Sequence, residues 1–357
     1  MTSSLSGQPL SFWEKADLFA GNLSVLGAAL YSVITGAFRG KSGAKYFVHH
    51  VSHAAVRRAV RRLSPRQLQY QSVSGLQAYE AFAKEHNLTP EKVTLNHGAT
   101  GLWIGNKHAK NVVVYYHGGG FNLPPVPGHF AFLHDLVQDL NKNGHEVAIF
   151  FLVYTLTPPA TYPTQLRQSV EALRHILTQS PRSPSDVIIG GDSAGGNLAL
   201  ATLLHLTHPH PEIDPLPLPE GEDLAGVFGF APWVSFSVDG ESMTTNQYKD
   251  IIPAEGLKNW SRGYLGQMKE GDAWSEPAKA PVEWWRAVRA KRVLILAGRD
   301  EILLSAVEEF VKRVKTVLPQ LTYVVGYDET HVSAVYSGTL MEGQQARGLR
   351  NWLGAHL

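Results

Sequence analysis

Ser193 is the residue whose surroundings most clearly prepare it for chemistry. It sits in Gly191-Asp192-Ser193-Ala194-Gly195-Gly196, after a β-branched run at 186–189 and before a helical pattern from Asn197. In that setting a serine occupies the apex of a sharp strand-to-helix turn, with its Oγ lifted clear of both elements. Side chains at 191 and 195 would collide across such a turn, so glycine stands there. The positive end of the following helix favours negative charge developing nearby. The chemistry this prepares is nucleophilic attack on a carbonyl carbon. Asp192 adjoins the nucleophile, but neighbours on a tight turn point in different directions, and it is read as a brace.

A second motif, His117-Gly118-Gly119-Gly120-Phe121, follows the apolar run 111–116. Three successive glycines pack nothing and cost backbone entropy, so the backbone itself must bend there and approach a ligand. Attack on an ester carbonyl creates an oxyanion, and one preorganised N–H donor lowers the barrier by roughly 3–4 kcal/mol. Gly119, Gly120 and Ala194 are assigned as the donors. His117 is read as orienting the loop rather than moving protons.

These two motifs, HGGGF and GDSAGGN, resemble the hormone-sensitive-lipase family of esterases, which includes arylacetamide deacetylases and fungal steryl acetyl hydrolases. The similarity continues through Tyr154-Thr155-Leu156-Thr157-Pro158 and Tyr162-Pro163-Thr164-Gln165-Leu166, and runs from about residue 90 onward. Pro159 stands where that family usually has Glu, which removes one polar anchor from the loop. The resemblance implies an α/β-hydrolase fold: a mostly parallel central sheet flanked by helices, with a helical cap. It also implies the oxyanion roles above, ester hydrolysis, and no metal or organic cofactor.

In such a fold the triad runs in the order serine, acid, histidine. The late strand 293–297 leads into Gly298-Arg299-Asp300-Glu301-Ile302-Leu303. Asp300 is taken as the acid, because Ile302 and Val307 then stand where the resembled family has apolar residues two and seven positions on. Glu301 is the alternative. The strand 321–326 leads into Asp328-Glu329-Thr330-His331, so His331 is the base that takes the Ser193 proton and returns it to the leaving alcohol. Receptors of the gibberellin type share this fold but lack the histidine, and the complete set here argues for an enzyme.

The elements that must position these groups are legible as an alternation. Runs at 92–95 and 101–104 read as a hairpin. Buried strands are expected at 111–116, 147–153, 186–189, 226–230 and 293–297, with helices at 130–143, 164–180, 197–205 and 305–318 between them. Such an order means a parallel sheet covered on both faces. Residues 1–90 read as an N-terminal helical cap region, and 91–357 as the catalytic domain with a cap insert at about 233–286. Phe121, Trp233, Phe236, Tyr248 and Trp260 are candidate walls of an apolar pocket. A hydrophobic alcohol carrying a short acyl group such as acetyl is the expected small-molecule substrate. An amidase or formamidase, or a hydrolase fold recruited for cyclisation or condensation, is the alternative.

Composition sets the outer bounds. A net charge of +1 gives no footing for nucleic acid, and the absence of cysteine excludes disulfides and thiolate metal sites. His208-Pro209-His210 lacks further ligands at metal-binding spacing, and no metal is expected. The first residues lack the basic start and apolar core of a signal peptide. The uncharged stretch 18–38 is long enough to cross a bilayer but is diluted by Gly, Ser, Thr and Asn, so a buried or surface-lying helix is expected over membrane contact. Arg57, Arg58, Arg61 and Arg62 share one side of a helix and read as a solvated face. The expected compartment is the cytoplasm, with peripheral attachment to an intracellular membrane as the variant.

Overall fold

Period-two alternation explains the centre of the molecule. In the strand Asn111–Tyr116, Val112, Val114 and Tyr116 join one buried cluster, while Val113 and Tyr115 join another on the opposite face. Both faces are dry, so the run is apolar throughout rather than alternating with polar residues. The computed structural model describes residues 9–180, 182–336 and 342–357.

The strands are β1 (Lys92–Thr94), β2 (Thr100–Ile104), β3 (Asn111–Tyr116), β4 (Val147–Val153), β5 (Val187–Asp192), β6 (Gly226–Phe230), β7 (Val293–Gly298) and β8 (Thr322–Gly326). They form one sheet in the order β1-β2-β4-β3-β5-β6-β7-β8. β1 and β2 pair antiparallel, β2 joins β4 antiparallel, and every later pairing is parallel. The carboxyl ends of β3, β5, β7 and β8 therefore lie along one edge. The loops carrying the triglycine run, Ser193, Asp300 with Glu301, and His331 all leave from that edge.

The helices are α1 (Phe12–Thr35), α2 (Phe47–Arg62), α3 (Pro65–Gln71), α4 (Gly75–Glu85), α5 (Pro127–Lys142), α6 (Thr164–Thr178), α7 (Ala194–His205), α8 (Ser242–Thr245), α9 (Ala254–Leu265), α10 (Leu304–Val314), α11 (Ser333–Tyr336) and α12 (Gln344–Gly354). α6, α7 and α10 cover one sheet face, and α4, α5 and α12 the other. Three N-terminal helices begin with capping boxes, Ser11/Glu14, Ser64/Gln67 and Ser74/Gln77. Each such cap stabilises its helix by about 1 kcal/mol.

Within the region read as an N-terminal cap, α4 belongs to the body, with Tyr79 and Phe82 packed on Phe130 of α5. α1 to α3 lie apart from the sheet. α2 meets α9 of the insert, where Arg61 Nε pairs with Glu255 at 3.1 Å and Val60 lies against Gly256. The later aromatics of the insert turn inward, and Trp285 packs edge-on to Phe310 of α10.

Candidate active site

The turn between β5 and α7 forces Ser193 into φ 53°, ψ −117°, a left-handed conformation that non-glycine residues rarely adopt. The Ser193 amide donates to Phe230 O (2.9 Å), its carbonyl accepts from Trp233 N (3.0 Å), and its side chain makes no capping bond to α7. These backbone ties hold the strained turn and leave the hydroxyl for other work. A methyl group at 191 or 195 would strike Tyr116 O. Ser193 is 5% exposed.

Asp192 braces the turn. Its buried Oδ1 accepts from Tyr115 OH (2.8 Å) and Gly118 N (2.9 Å), and its Oδ2 lies 3.3 Å from His129 Nε2. Burial opposes the charge, but His129 and the Tyr115 hydroxyl hold the pKa below the ordinary carboxylate value. One carboxylate thus ties the nucleophile turn to the triglycine loop.

In that loop the Gly118 amide is taken by Asp192, whereas those of Gly119 and Gly120 donate to no group among the described residues. Gly119 has φ +104°, and a methyl there would lie 2.6 Å from Leu123 O. Ala194 opens α7, where backbone amides lack partners four residues back. His117 stacks on Tyr154 at 4.1 Å, and its Nδ1 lies 2.6 Å from Gly118 O. Burial drops its pKa to about 3, so it stays neutral and structural, as its sequence position suggested. In the loop where Pro159 stands, Thr157 N donates to Phe121 O (2.9 Å) of the triglycine motif, and α3 adds a second tie. Gln69 Nε2 donates to Asn122 O (2.6 Å) and Thr157 O (2.7 Å).

The acid expected at Asp300 is not the one beside the imidazole. Asp300 pairs instead with Lys249 Nζ at 2.8 Å. Glu301 is fully buried, and its Oε2 lies 3.3 Å from His331 Nδ1. The reason is local geometry. The Glu301 amide donates back to Gly298 O and that of Asp300 to Glu329 O, so the chain turns sharply after β7 and presents the later side chain inward. His331 Nε2 is buried and unpartnered among the described residues. Burial alone would lower the imidazole pKa, but the Glu301 hydrogen bond and charge, with Asp250 and Asp192, raise it above the ordinary value.

Asp250 was not singled out in the sequence. Its buried Oδ1 accepts from Ile251 N (2.7 Å) and His331 N (3.1 Å), and its Oδ2 from Ile302 N (2.7 Å). It therefore grips the residue after the acid and the base itself. The Asp250 carbonyl accepts from Arg57 Nη1 of α2, and the Lys249 carbonyl lies 2.8 Å from His53 Nδ1. Arg57 is thus buried, which corrects the reading of that arginine face as solvated. Arg61 and Arg62 pair with Glu255 and Asp17. Asn246, four residues before Asp250, donates to Arg299 O and Glu301 O, and this Asn-x₃-Asp spacing was the available signal.

Of the expected pocket walls, Phe121 stacks on Tyr264 at 3.7 Å, Trp233 lies 6.0 Å from Phe121, and Phe236 lies 4.7 Å from Trp233. Tyr248 does not join them. It is 54% exposed and faces a groove of about 400 Å³ between α1 and α2, because its neighbours Lys249 and Asp250 take the inward positions. Trp260 of α9, another of the expected walls, lies against Gly120. The two histidines around Pro209 sit in aromatic packing, with His208 stacked on Trp284 at 4.2 Å and His210 edge-on to Trp274.

Residues 113–335 match the sequence family described as alpha/beta hydrolase fold. The chain belongs to that family. Steryl acetyl hydrolase 1 of Saccharomyces cerevisiae is 29% identical over 202 residues, 54% of this chain and 45% of that protein. An esterase of Acinetobacter venetianus is 28% identical over 204 residues, 57% of this chain and 60% of that protein. The chain thus matches about half the length of these relatives. The crystal structure of an esterase from the bacterial hormone-sensitive lipase family superposes with TM-score 0.64 at 22% identity, covering 94% of this chain and 98% of that one. At that identity the likeness is one of fold.

Proposed function

We propose that this chain is a serine hydrolase that cleaves carboxylic esters of hydrophobic alcohols bearing a short acyl group. The observation that carries this reading is the strained Ser193 on the same sheet edge as a buried Glu301–His331 pair and the amides of Gly119 and Gly120. Relatives named esterase and steryl acetyl hydrolase support it.

In this mechanism Ser193 Oγ attacks the ester carbonyl as His331 Nε2 takes its proton. The oxyanion is held by the amides of Gly119, Gly120 and Ala194, helped by the positive end of α7. Glu301 holds the imidazole in one orientation and stabilises its cation. Collapse of the tetrahedral intermediate breaks the ester C–O bond, and His331 gives its proton to the departing alcohol. Water, deprotonated by His331, then releases the acid from Ser193. Phe121, Trp233 and Tyr264 pack together as a buried aromatic support, and the partly exposed Phe236 on them is assigned to the wall that meets the alcohol. The Trp260 ring against Gly120 leaves little room beside the oxyanion loop, which favours a small acyl group.

The test pairs turnover with labelling. The chain is expected to hydrolyse p-nitrophenyl acetate faster than the butyrate or octanoate and to be labelled by a fluorophosphonate, and Ser193→Ala is expected to lose both. A labelled Ser193→Ala variant overturns the assignment of the nucleophile. Turnover of an N-acetyl arylamine without ester turnover overturns the substrate class.

A further inference from the structure

α1 is clasped along one side only. There Leu18 packs with Leu63 and Leu68, Asp17 pairs with Arg62, and Gln67 Nε2 donates to Asp17 Oδ2 (2.8 Å) and Glu14 O (3.2 Å). The other side meets solvent with Phe12, Phe19, Leu23, Leu26, Leu30 and Ile34, the last 75% exposed. At 3.6 residues per turn these six fall within roughly 80°, and exposed Trp13 and Tyr31 widen the arc to about 140°. No charged residue falls inside it. The apolar surface continues past the helix through Phe38, 88% exposed, and Val48. An uncovered face of this size is unusual on a protein that stays in water.

Charge distinguishes the occupants. Residues 12–62 hold eight Lys and Arg against two Asp and Glu, while the whole chain holds 32 against 31. Lys15, Arg39, Lys41 and Arg58 have no carboxylate within ion-pair distance among the described residues. An apolar arc bordered by uncompensated cations fits an anionic bilayer surface, into which such helices sink by about 5–10 Å. A second copy would bring the same cations against these, and the arc is wider than a coiled-coil seam. Crossing the bilayer would strip Asp17, Gln67 and Arg62 of their partners, so the helix lies in the plane.

We propose that α1 and the segment leading into α2 dock this protein in the plane of a bilayer carrying anionic headgroups. This surface is separate from the proposed catalytic groups. α2 and the segment leading into it nevertheless reach them, through the bond from Arg57 to the Asp250 carbonyl and the ion pair of Lys45 with Asp328, three residues before His331. A docked enzyme would hold its catalytic loops one layer of structure away from lipid-dissolved esters.

The experiment is vesicle flotation of the full chain with phosphatidylcholine alone or with about 30 mol% phosphatidylglycerol. The wild type is expected to float with the anionic vesicles, less with neutral ones and less in high salt, and to be released by alkaline carbonate. The Leu23→Glu/Leu26→Glu/Leu30→Glu variant is expected to lose at least about tenfold of the bound fraction while keeping its circular dichroism and melting temperature. If that variant does not fold, Lys41→Glu/Arg58→Glu is expected to lose the preference for anionic vesicles. Wild type that stays unbound with both vesicles overturns the proposal. So does carbonate-resistant insertion, which means a span. So does a dimer that the triple variant dissociates without any flotation by the wild type.

Discussion

Replacing Glu301 by Gln and Asp300 by Asn separates two adjacent carboxylates with different surroundings. Glu301 is fully buried with its Oε2 3.3 Å from His331 Nδ1, so a cation forming on that imidazole has no solvent to stabilise it. Loss of the acid in a Ser-His-Asp template costs about 10⁴ in kcat, which is about 5.5 kcal/mol in the transition state. Glu301→Gln is expected to show a loss of that order. Asp300→Asn weakens only the pair with Lys249, which does not touch the imidazole, and should leave kcat within about threefold. The pH profile gives a second readout. Neutral imidazole is the reactive form, so kcat/KM rises with pH through the His331 pKa. Glu301 contributes the leading raising effects on that pKa, against burial, which lowers it. The acid limb of Glu301→Gln is therefore expected at lower pH than in wild type. In the wild type the raised pKa contributes stability that is present below the ordinary histidine value and lost as pH climbs through the folded one. Steady-state kinetics on p-nitrophenyl acetate from pH 5 to 9 measures both effects. An Asp300→Asn loss above about a hundredfold, with Glu301→Gln near wild type, would refute the reasoning.

Two further outcomes follow from the same geometry. Asp250→Asn keeps the shape but presents an N–H₂ to one of the amides now bonded, at about 1–3 kcal/mol in stability; kcat is expected to fall with KM little changed and the acid limb to shift down, and an unchanged limb with lowered stability would reduce Asp250 to packing. Gly119→Ala places a side chain at φ +104° against Leu123 O; a fall in kcat of roughly 10²-fold is expected from the displaced amides, with fluorophosphonate labelling slowed in parallel, and unaltered turnover would remove that loop from oxyanion binding.

Much of this protein is written locally. The runs 111–116, 147–153 and 226–230 became strands with those same bounds, because they are too short for helices, are bounded by turn residues and are apolar enough to be buried on both faces. The nucleophile turn and the triglycine loop were legible through their glycines, although what Gly191 and Gly195 make room for includes Tyr116 O of β3, a neighbour that only the sheet brings there. His331 was legible through its position after the last strand. What the tertiary structure decided was direction and distance. Asp300 and Glu301 are equivalent as text, and only the turn after β7 aims one at His331 and the other at Lys249. Asp250 gains its place through amides 52 and 81 residues away. Tyr248 is turned outward by what its neighbours bind. The exposure of α1 depended on whether another element would come to cover its apolar arc. A linear pattern records that a helix has an apolar side, but which side meets protein is set by contacts between residues far apart in the chain.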